Sequence, residues 1–489
     1  MKVYTRRVLL RYGVYTAAAS SLFSSLWVSG CRKGARGRRP NVVLIVLDTT
    51  RADRFSCAGY ELKTTPSIDA LAKEGIVYDH AYSTNFWTLP SHASLFTGLY
   101  PSQAGATSET IFLPRRNRTL AEILKESGYE TSAFVCNAWV SNERGFSQGF
   151  DEYNEMWRAE NQLGIPPQAG RTEWAGLKKV LMWLEEREAT KKPFFVFVNF
   201  NSPHLPYNPP EPFWSTYFSG SDYNNEEVNR VAVIAGMWDY FGGKFKLGER
   251  DFHIMSDLYN GEMAFADHCV GQITERLKQY GMFEDTVVVV TSDHGENLGE
   301  HGMIDHLLSM YETTLHVPLV IRYPGRLSAG GRVSSLVSLL DVAPTILDLC
   351  DISSEAIKMK FSGASLVSDK RSQRAYVIAE NERPMSGIAL MKKRFPEFDT
   401  RKIDYRMRAI RTDRHKLIWN IGGKIELFDL QTDPAENNNL ADSEVQVRDK
   451  LHQILTNWMY QMPAAGDVSF MESKDKESVE ILRSLGYVE

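Results

Sequence analysis

The chain has 489 residues, 43% of them hydrophobic and 24% charged, with a formal net charge of −5. That balance is ordinary for a globular protein and leaves room for two or three domains. It argues against the basic surface a nucleic-acid binder needs, and five scattered cysteines with no CxxC pair argue against a zinc knuckle or a disulfide framework.

Residues 1–31 read as a targeting segment. Arg6, Arg7 and Arg11 precede an apolar, small-residue stretch that ends Val28-Ser29-Gly30-Cys31. A basic start, an apolar middle and a small-residue end describe an export signal. Thr5-Arg6-Arg7 resembles a twin-arginine signal, and VSGC resembles a bacterial lipobox in which Cys31 is acylated; a plain membrane anchor is the alternative. The expectation is a body exported to the periplasm or cell surface, anchored by a lipid on Cys31, with residues 32–39 (RKGARGRR) as its tether.

From residue 40 the texture alternates between strand and helix. Asn41–Asp48 (NVVLIVLD) is a continuous β-branched run of the kind buried on both faces of a parallel sheet. Thr65-Pro66 opens a helix pattern that Gly75 closes, and Thr119 opens another that Gly128 closes. Between them lies NFWTLPSHASLFTGLYP, Asn85 to Pro101, with Pro90 just inside a helix start and Thr88 two residues before it. Further strand runs follow at Pro193–Phe200, Thr286–Ser292 and Val317–Arg322. Leu205 to Leu258 is long, aromatic and irregular, as a binding loop or lid would be. Its Trp214, Tyr217, Trp238 and Tyr240 are either sugar-stacking groups or the core of that insertion. The alternation predicts an open, mostly parallel α/β sheet. A polar stretch near 368–375 marks a boundary, which gives a catalytic domain over 40–370. Residues 376–489 then form a small α+β subdomain, an antiparallel sheet with a helix over Glu444–Met462.

In open α/β sheets the ligand site lies beyond the carboxyl ends of the strands. Asp48 stands at one such end, Asp293 and His294 at another, and Asn201 and His204 at a third. Oxygen and imidazole donors of this kind suit a divalent cation, Ca, Mg, Mn or Zn. The hydroxyl of Thr88, just ahead of a helix N-terminus, lies where an anion is favoured, and a nearby cation would lower its pKa enough for attack. Each residue has a plainer reading as a helix cap.

TLPSHASLFTGLYP, from Thr88 to Pro101, is similar to the sulfatase signature, in which Cys or Ser precedes x-Pro-Ser-Arg and a helix that ends Thr-Gly-x-Tyr-Pro. TSDHGENLGEHG, NSPHLPY, YETTLHVPLVIRYPG, SLLDVAPTILDL and ELFDLQTDPAENNNLA match further family motifs in the family's order over about residues 40–489. The resemblance implies the alkaline-phosphatase superfamily fold, a large mostly parallel sheet flanked by helices plus a small C-terminal antiparallel sheet. It implies that Asp48, Asp293 and His294 hold the metal with Thr88, and that His204 contacts the anion or protonates the leaving oxygen. His306 falls where many sulfatases place an anion-contacting lysine. Asn137 and Arg51 are candidates for substrate contact, and Arg51 also for support of the metal site. His301 reads as structural. Three positions depart from the pattern. Thr88 stands where a sulfatase has the Cys or Ser oxidised to formylglycine, His92 replaces the signature Arg, and Thr49 replaces a second metal-binding Asp. The implied activity is metal-dependent cleavage of sulfate, phosphate or phosphonate esters, with a sulfated or phosphorylated glycan or lipid as partner. The alternatives are a transferase that moves a phospho-headgroup onto lipid or polysaccharide, and a non-catalytic binding protein on the same scaffold.

Overall fold

The computed structural model describes residues 39–489, apart from 160–170, 191, 219–221, 235, 354–359, 368–373 and 463–489. The signal segment, Cys31, most of the tether and most of the 368–375 boundary therefore lie outside the described residues.

The β-branched run becomes strand β1 (Asn41–Leu47), every residue of which is buried. The other strands of the large sheet are β2 (Ile76–Tyr82), β3 (Glu130–Val135), β4 (Glu152–Glu155), β5 (Phe194–Phe200), β6 (Thr286–Thr291), β7 (Leu319–Arg322) and β8 (Gly331–Ser338). Their order across the sheet is β8-β2-β7-β6-β1-β5-β3-β4, and the two-residue strand His316–Val317 adds a ninth member beside β2. β6, β1, β5, β3 and β4 run parallel, so their carboxyl ends share one edge. β7 is antiparallel to both β6 and β2. The expected strand Val317–Arg322 is thus interrupted at Pro318, which has no N–H for a ladder, and it runs against its neighbours. Because β7 reverses direction between them, β2 points the same way as β6.

Helices cover the sheet. α1 (Pro66–Glu74) carries Pro at its first position, as its sequence predicts. α2 (Thr88–Thr97) is buried along all ten residues and ends at Gly98, whose φ of 64° closes the helix with an N–H to the Ser94 carbonyl at 2.8 Å. α3 (Leu120–Glu126) starts with a reciprocal capping box between Thr119 and Glu122. The stretch expected to be irregular from Leu205 to Leu258 holds short helices at Phe213–Thr216, Asn225–Ala232 and Met237–Phe241, and its last residues begin the 31-residue helix α4 (Glu249–Gln279). The four-stranded antiparallel sheet is Val377–Asn381, Met407–Arg411, His415–Asn420 and Ile425–Asp429, paired in chain order. The helix Val445–Gln461 packs on it. Among the described residues no helix is long and apolar enough to cross a membrane.

The small sheet is fastened to the large one by a buried triad. Lys416 Nζ, fully buried, lies 2.9 Å from Glu312 Oε1 and 3.0 Å from Glu436 Oε1. Glu312 also accepts the Tyr82 hydroxyl at 2.7 Å.

Candidate functional site

The common edge of β6, β1, β5 and β3 brings Asp293, Asp48, His204 and Asn137 to one place, as the parallel pairing requires. Asp48 directly follows β1, and its N–H bonds the Phe200 carbonyl at the end of β5 at 3.0 Å. Asp293 and His294 follow β6. Thr88 reaches the same edge from the chain that leaves β2. It is the first residue of α2 rather than a group ahead of it, because Trp87 holds the extended cap position.

The four groups converge. Thr88 Oγ1 is 3.3 Å from His294 Nε2. That nitrogen is 3.2 Å from Asp293 Oδ2 and 3.9 Å from Asp48 Oδ1. All four residues have zero solvent exposure. His294 Nδ1 donates to the Gly295 carbonyl at 3.0 Å, which fixes the tautomer and leaves Nε2 as a lone pair facing the carboxylates. Burial, together with the other histidines, holds the pKa of His294 well below its ordinary value. Burial and the neighbouring Asp293 push Asp48 up to about 8, and burial pushes Asp293 up to about 7.

Asp48 Oδ1 and Asp293 Oδ2 have no hydrogen-bond partner among the described residues. Two buried carboxylate oxygens beside an imidazole lone pair repel one another unless a proton or a cation joins them. Asp48, Asp293 and His294 offer donor atoms within 4.8 Å of one another, so the residues fit a divalent ion. The loop that carries Asp48 is strained. Thr49 has φ 54°, an outlier for a β-branched residue. Its N–H bonds Asp293 Oδ1 at 3.2 Å, while its own hydroxyl has no partner among the described residues. The Tyr259 hydroxyl, from α4, clamps this loop by donating to the Thr49 carbonyl at 2.8 Å and accepting the Arg51 N–H at 3.0 Å.

His306 and His204 form the adjoining wall. Ring centroids lie 4.3 Å apart for His294 and His306 and 5.1 Å apart for His204 and His306. His306 Nδ1 sits 2.9 Å from Asp305 Oδ1 and 3.1 Å from Glu296 Oε1. Burial opposes charge on this ring, yet Asp305 and Glu296 together hold its pKa well above the ordinary value. His204 is the reverse: burial and the nearby His306 lower it to about 4, and its Nδ1 donates to the Leu205 carbonyl. One wall thus sets an imidazole whose charged form is favoured beside one whose neutral form is favoured.

The two residues expected to contact substrate, Asn137 and Arg51, have protein partners. The Asn137 amide donates to Asp48 Oδ2 at 2.7 Å, and its oxygen caps a short turn by accepting the Trp139 N–H at 2.9 Å. Asn137 thus holds the Asp48 carboxylate in place through one of its two amide N–H groups. Arg51 is committed likewise to Asp53, Glu300 and the Glu296 carbonyl, which leaves it the support role. His92 donates from Nδ1 to the Thr88 carbonyl at 2.8 Å and lies 3.4 Å from Asp293 Oδ2. His301 stacks on Tyr311 with centroids 3.7 Å apart.

The sequence alone does not single out Glu296, inside the TSDHGENLGEHG motif, or Asp305, three residues beyond it. With His306 they form a second buried group whose donor atoms lie within 4.8 Å. Nor does the sequence single out Tyr259, which stands more than 200 residues from its partners and carries no local signal.

The family model described as Sulfatase matches residues 40–352. The chain belongs to the sulfatase family. A second model, N-sulphoglucosamine sulphohydrolase, C-terminal, matches residues 299–461 of this sulfatase-family protein. Arylsulfatase K of Bos taurus is 27% identical to it over 485 residues, covering 91% of this chain and 87% of that protein. The phosphonate monoester hydrolase of Agrobacterium radiobacter has the same fold, with a TM-score of 0.70 at 24% identity over 87% of this chain and 96% of that one. So does a protein solved in complex with its substrate D-glucosamine-2-N,6-O-disulfate, with a TM-score of 0.67 at 21% identity over 87% and 98%.

Proposed function

We propose that the chain is an exported, metal-dependent ester hydrolase of the sulfatase family that cleaves sulfate, phosphate or phosphonate esters with Thr88 as nucleophile. One observation carries the reading: the Thr88 hydroxyl lies 3.3 Å from His294 Nε2, beside two carboxylates whose facing oxygens have no hydrogen-bond partner among the described residues. A hydroxyl in a plain structural role has no reason to be placed there.

Asp48, Asp293 and His294, with Thr88, would hold the cation. A divalent ion at such a site lowers the pKa of an adjoining hydroxyl and offsets charge on the ester oxygens. The chain's own groups do the rest. The Thr88 oxygen forms a bond to sulfur or phosphorus in line with the bond that breaks. His306, kept charged by Asp305 and Glu296, donates a proton to the departing alkoxide, a general-acid role worth ~10²–10⁴-fold. His204, neutral in the same wall, takes the proton that Thr88 loses on attack and returns it to the Thr88 oxygen when the ester is cleaved, while the proton from the attacking water recharges His306. Water then cleaves the Thr88 ester and regenerates the hydroxyl. Formylglycine chemistry does not apply, because the threonine side chain cannot become the required aldehyde.

The threonine at position 88, in place of a Cys or Ser that could be oxidised, favours one second reading, transfer of the group from Thr88 to an acceptor alcohol in place of water. Export and a lipid on Cys31 rest on Arg6, Arg7 and the VSGC ending.

The test is a panel of aryl sulfate, phosphate monoester, phosphodiester and phosphonate, run with Ca, Mg, Mn and Zn. Thr88→Ala is expected to abolish turnover while bound metal stays within a few-fold of the parent. Full hydrolysis by that variant refutes the assignment, and formation of a new ester with an added alcohol selects the transferase.

A further inference from the structure

His204 stands in a segment, residues 201–208, that is neither helix nor strand, and one side chain of α4 ties that segment down on both sides of the histidine. The Glu262 carboxyl accepts the Asn208 N–H on Oε1 at 2.8 Å and is hydrogen-bonded to the Ser202 hydroxyl. Between these two ties the His204 N–H bonds the Asn201 carbonyl at 2.8 Å. Gly261 lets the helix come this close: a Cβ there would stand 2.8 Å from Pro209 Cγ and 2.8 Å from the Phe213 carbonyl oxygen. Tyr259, which clamps the loop at Thr49 and Arg51, precedes Glu262 by three residues, so the two side chains leave one face of α4. Its ring meets that of Tyr207, in the His204 segment, edge to face at 5.6 Å. A single turn of α4 therefore holds both the metal-ligand loop and the histidine wall.

A carboxyl is a costly group to keep at this position. Glu262 is 5% exposed, and Leu258, Met263, Phe265 and Ala266 around it on α4 are buried as well. Burial, with Glu173 nearby, pushes the carboxyl up to about 8 against the pull of the Ser202 and Asn208 bonds, so its neutral form is favoured at neutral pH. Burying a polar group costs free energy unless it is hydrogen-bonded, and an apolar side chain would avoid that cost. What the carboxyl adds is the two bonds, and what the bonds fix is the course of the chain through His204. The neutral state of His204 depends on that course. Burial and His306 lower its pKa, Asp305 opposes them, and a segment that opened to water would lose the burial.

We propose that Glu262 is a positioning residue: through Ser202 and Asn208 it holds His204 in the wall beside His306, where His204 takes the proton of Thr88. The effect on turnover rests on the ester-hydrolase reading; the hold on His204 does not.

The test compares variants of the full metal-loaded chain. Glu262→Met removes both bonds and fills the same space, whereas Glu262→Gln is neutral and keeps a donor and an acceptor. Asp267→Ala is the structural control: it removes another buried carboxyl of α4, one that accepts the Ser67 and Ile68 N–H groups at 3.0 and 2.8 Å at the start of α1. On whichever ester the parent turns over, Glu262→Met is expected to lower kcat about 10–100-fold with KM within about threefold. Glu262→Gln and Asp267→Ala are expected to keep kcat within about threefold of the parent, although Asp267→Ala loses heat stability. The second readout is the titration of His204, followed by NMR on isotope-labelled histidine and assigned with His204→Gln. Its midpoint is expected to rise by about one pH unit or more in Glu262→Met and to stay in place in Glu262→Gln and Asp267→Ala. Ser202→Ala breaks one bond only and supplies a milder variant that should fold, with kcat down about threefold and a smaller rise in the His204 midpoint. A folded Glu262→Met protein with the parent's kcat and the parent's His204 titration overturns the proposal, and so does a loss of kcat that Asp267→Ala matches. If Glu262→Met does not fold, Ser202→Ala decides in the same way. Absence of turnover by the parent on every ester would instead defeat the hydrolase reading alone, and the His204 titration would still decide the role of Glu262.

Discussion

Asn137 gives the sharpest test of how the candidate metal site is built. Its Nδ2 donates to Asp48 Oδ2 at 2.7 Å, and its Oδ1 accepts the Trp139 N–H at 2.9 Å. The first bond ends on a carboxylate, so its loss should cost about 1.5–3 kcal/mol, or roughly 10–150-fold in an equilibrium constant. Partners that orient a metal ligand characteristically account for about 10–100-fold in affinity, so the two estimates agree. The second bond is a cap, worth about 1 kcal/mol of stability. Asn137→Ser separates them, because serine keeps a cap acceptor but is too short to reach Asp48. Asn137→Ala loses both. Chelator-competition titration with Zn or Mn is expected to show about 10–100-fold weaker binding in both variants. Thermal denaturation of the metal-free proteins is expected to show a further loss of about 1 kcal/mol in the alanine variant alone. Metal affinity within twofold of the parent in a folded Asn137→Ser protein would refute the claim that Asn137 holds Asp48 in place.

Lys416→Met should cost about 3–5 kcal/mol in urea denaturation, because it strands two carboxylates at a buried junction; adding Glu436→Gln should restore part of that, and a loss below 1 kcal/mol would count against the triad. The same triad sets a pH dependence. Burial raises Glu312, but Lys416, His316 and Arg411 outweigh it and hold the carboxyl at about 2. Its contribution is therefore present above the ordinary carboxylate pKa and disappears as pH falls toward 2. Burial lifts Glu436 to about 7, so its contribution has the opposite sign, present in acid and lost as pH rises through 7. Glu436→Gln should flatten the melting-temperature profile between roughly pH 4.5 and 7, and an unchanged profile would sink the assignment. Tyr259→Phe strands the Thr49 carbonyl and the Arg51 N–H, and calorimetry should show about 1–3 kcal/mol of destabilisation; retention of the parent's stability would show that water replaces the hydroxyl.

Features written in short-range pattern were legible without coordinates. The β-branched runs at Asn41–Leu47 and Thr286–Thr291 declare buried parallel strands, and the capping box at Thr119 and Glu122 declares a helix start. Asp48, Asp293 and His294 could be grouped because parallel strands deliver their ends to one edge. The reversed direction of β7 could not be read, since a strand's residues do not encode which way its neighbour runs. The Asp48 partner of Asn137 and the Asp53 and Glu300 partners of Arg51 could not be read, because which side chain meets which depends on loop geometry. The charge on His306 depends on Asp305 and Glu296 standing on the same side of one ring nitrogen, a relation created only when the hairpin between residues 297 and 305 closes.

The left-handed backbone of Thr49 has an outcome for anyone who evolves this protein. Glycine there would relieve a conformation that a β-branched residue occupies at a cost of order 1–3 kcal/mol. A library screened only for survival of heating should therefore drift toward Thr49→Gly, which removes a hydroxyl beside the metal-ligand loop. Gains in heat resistance won at that position should come with lost turnover, so the screen needs an activity gate from its first round.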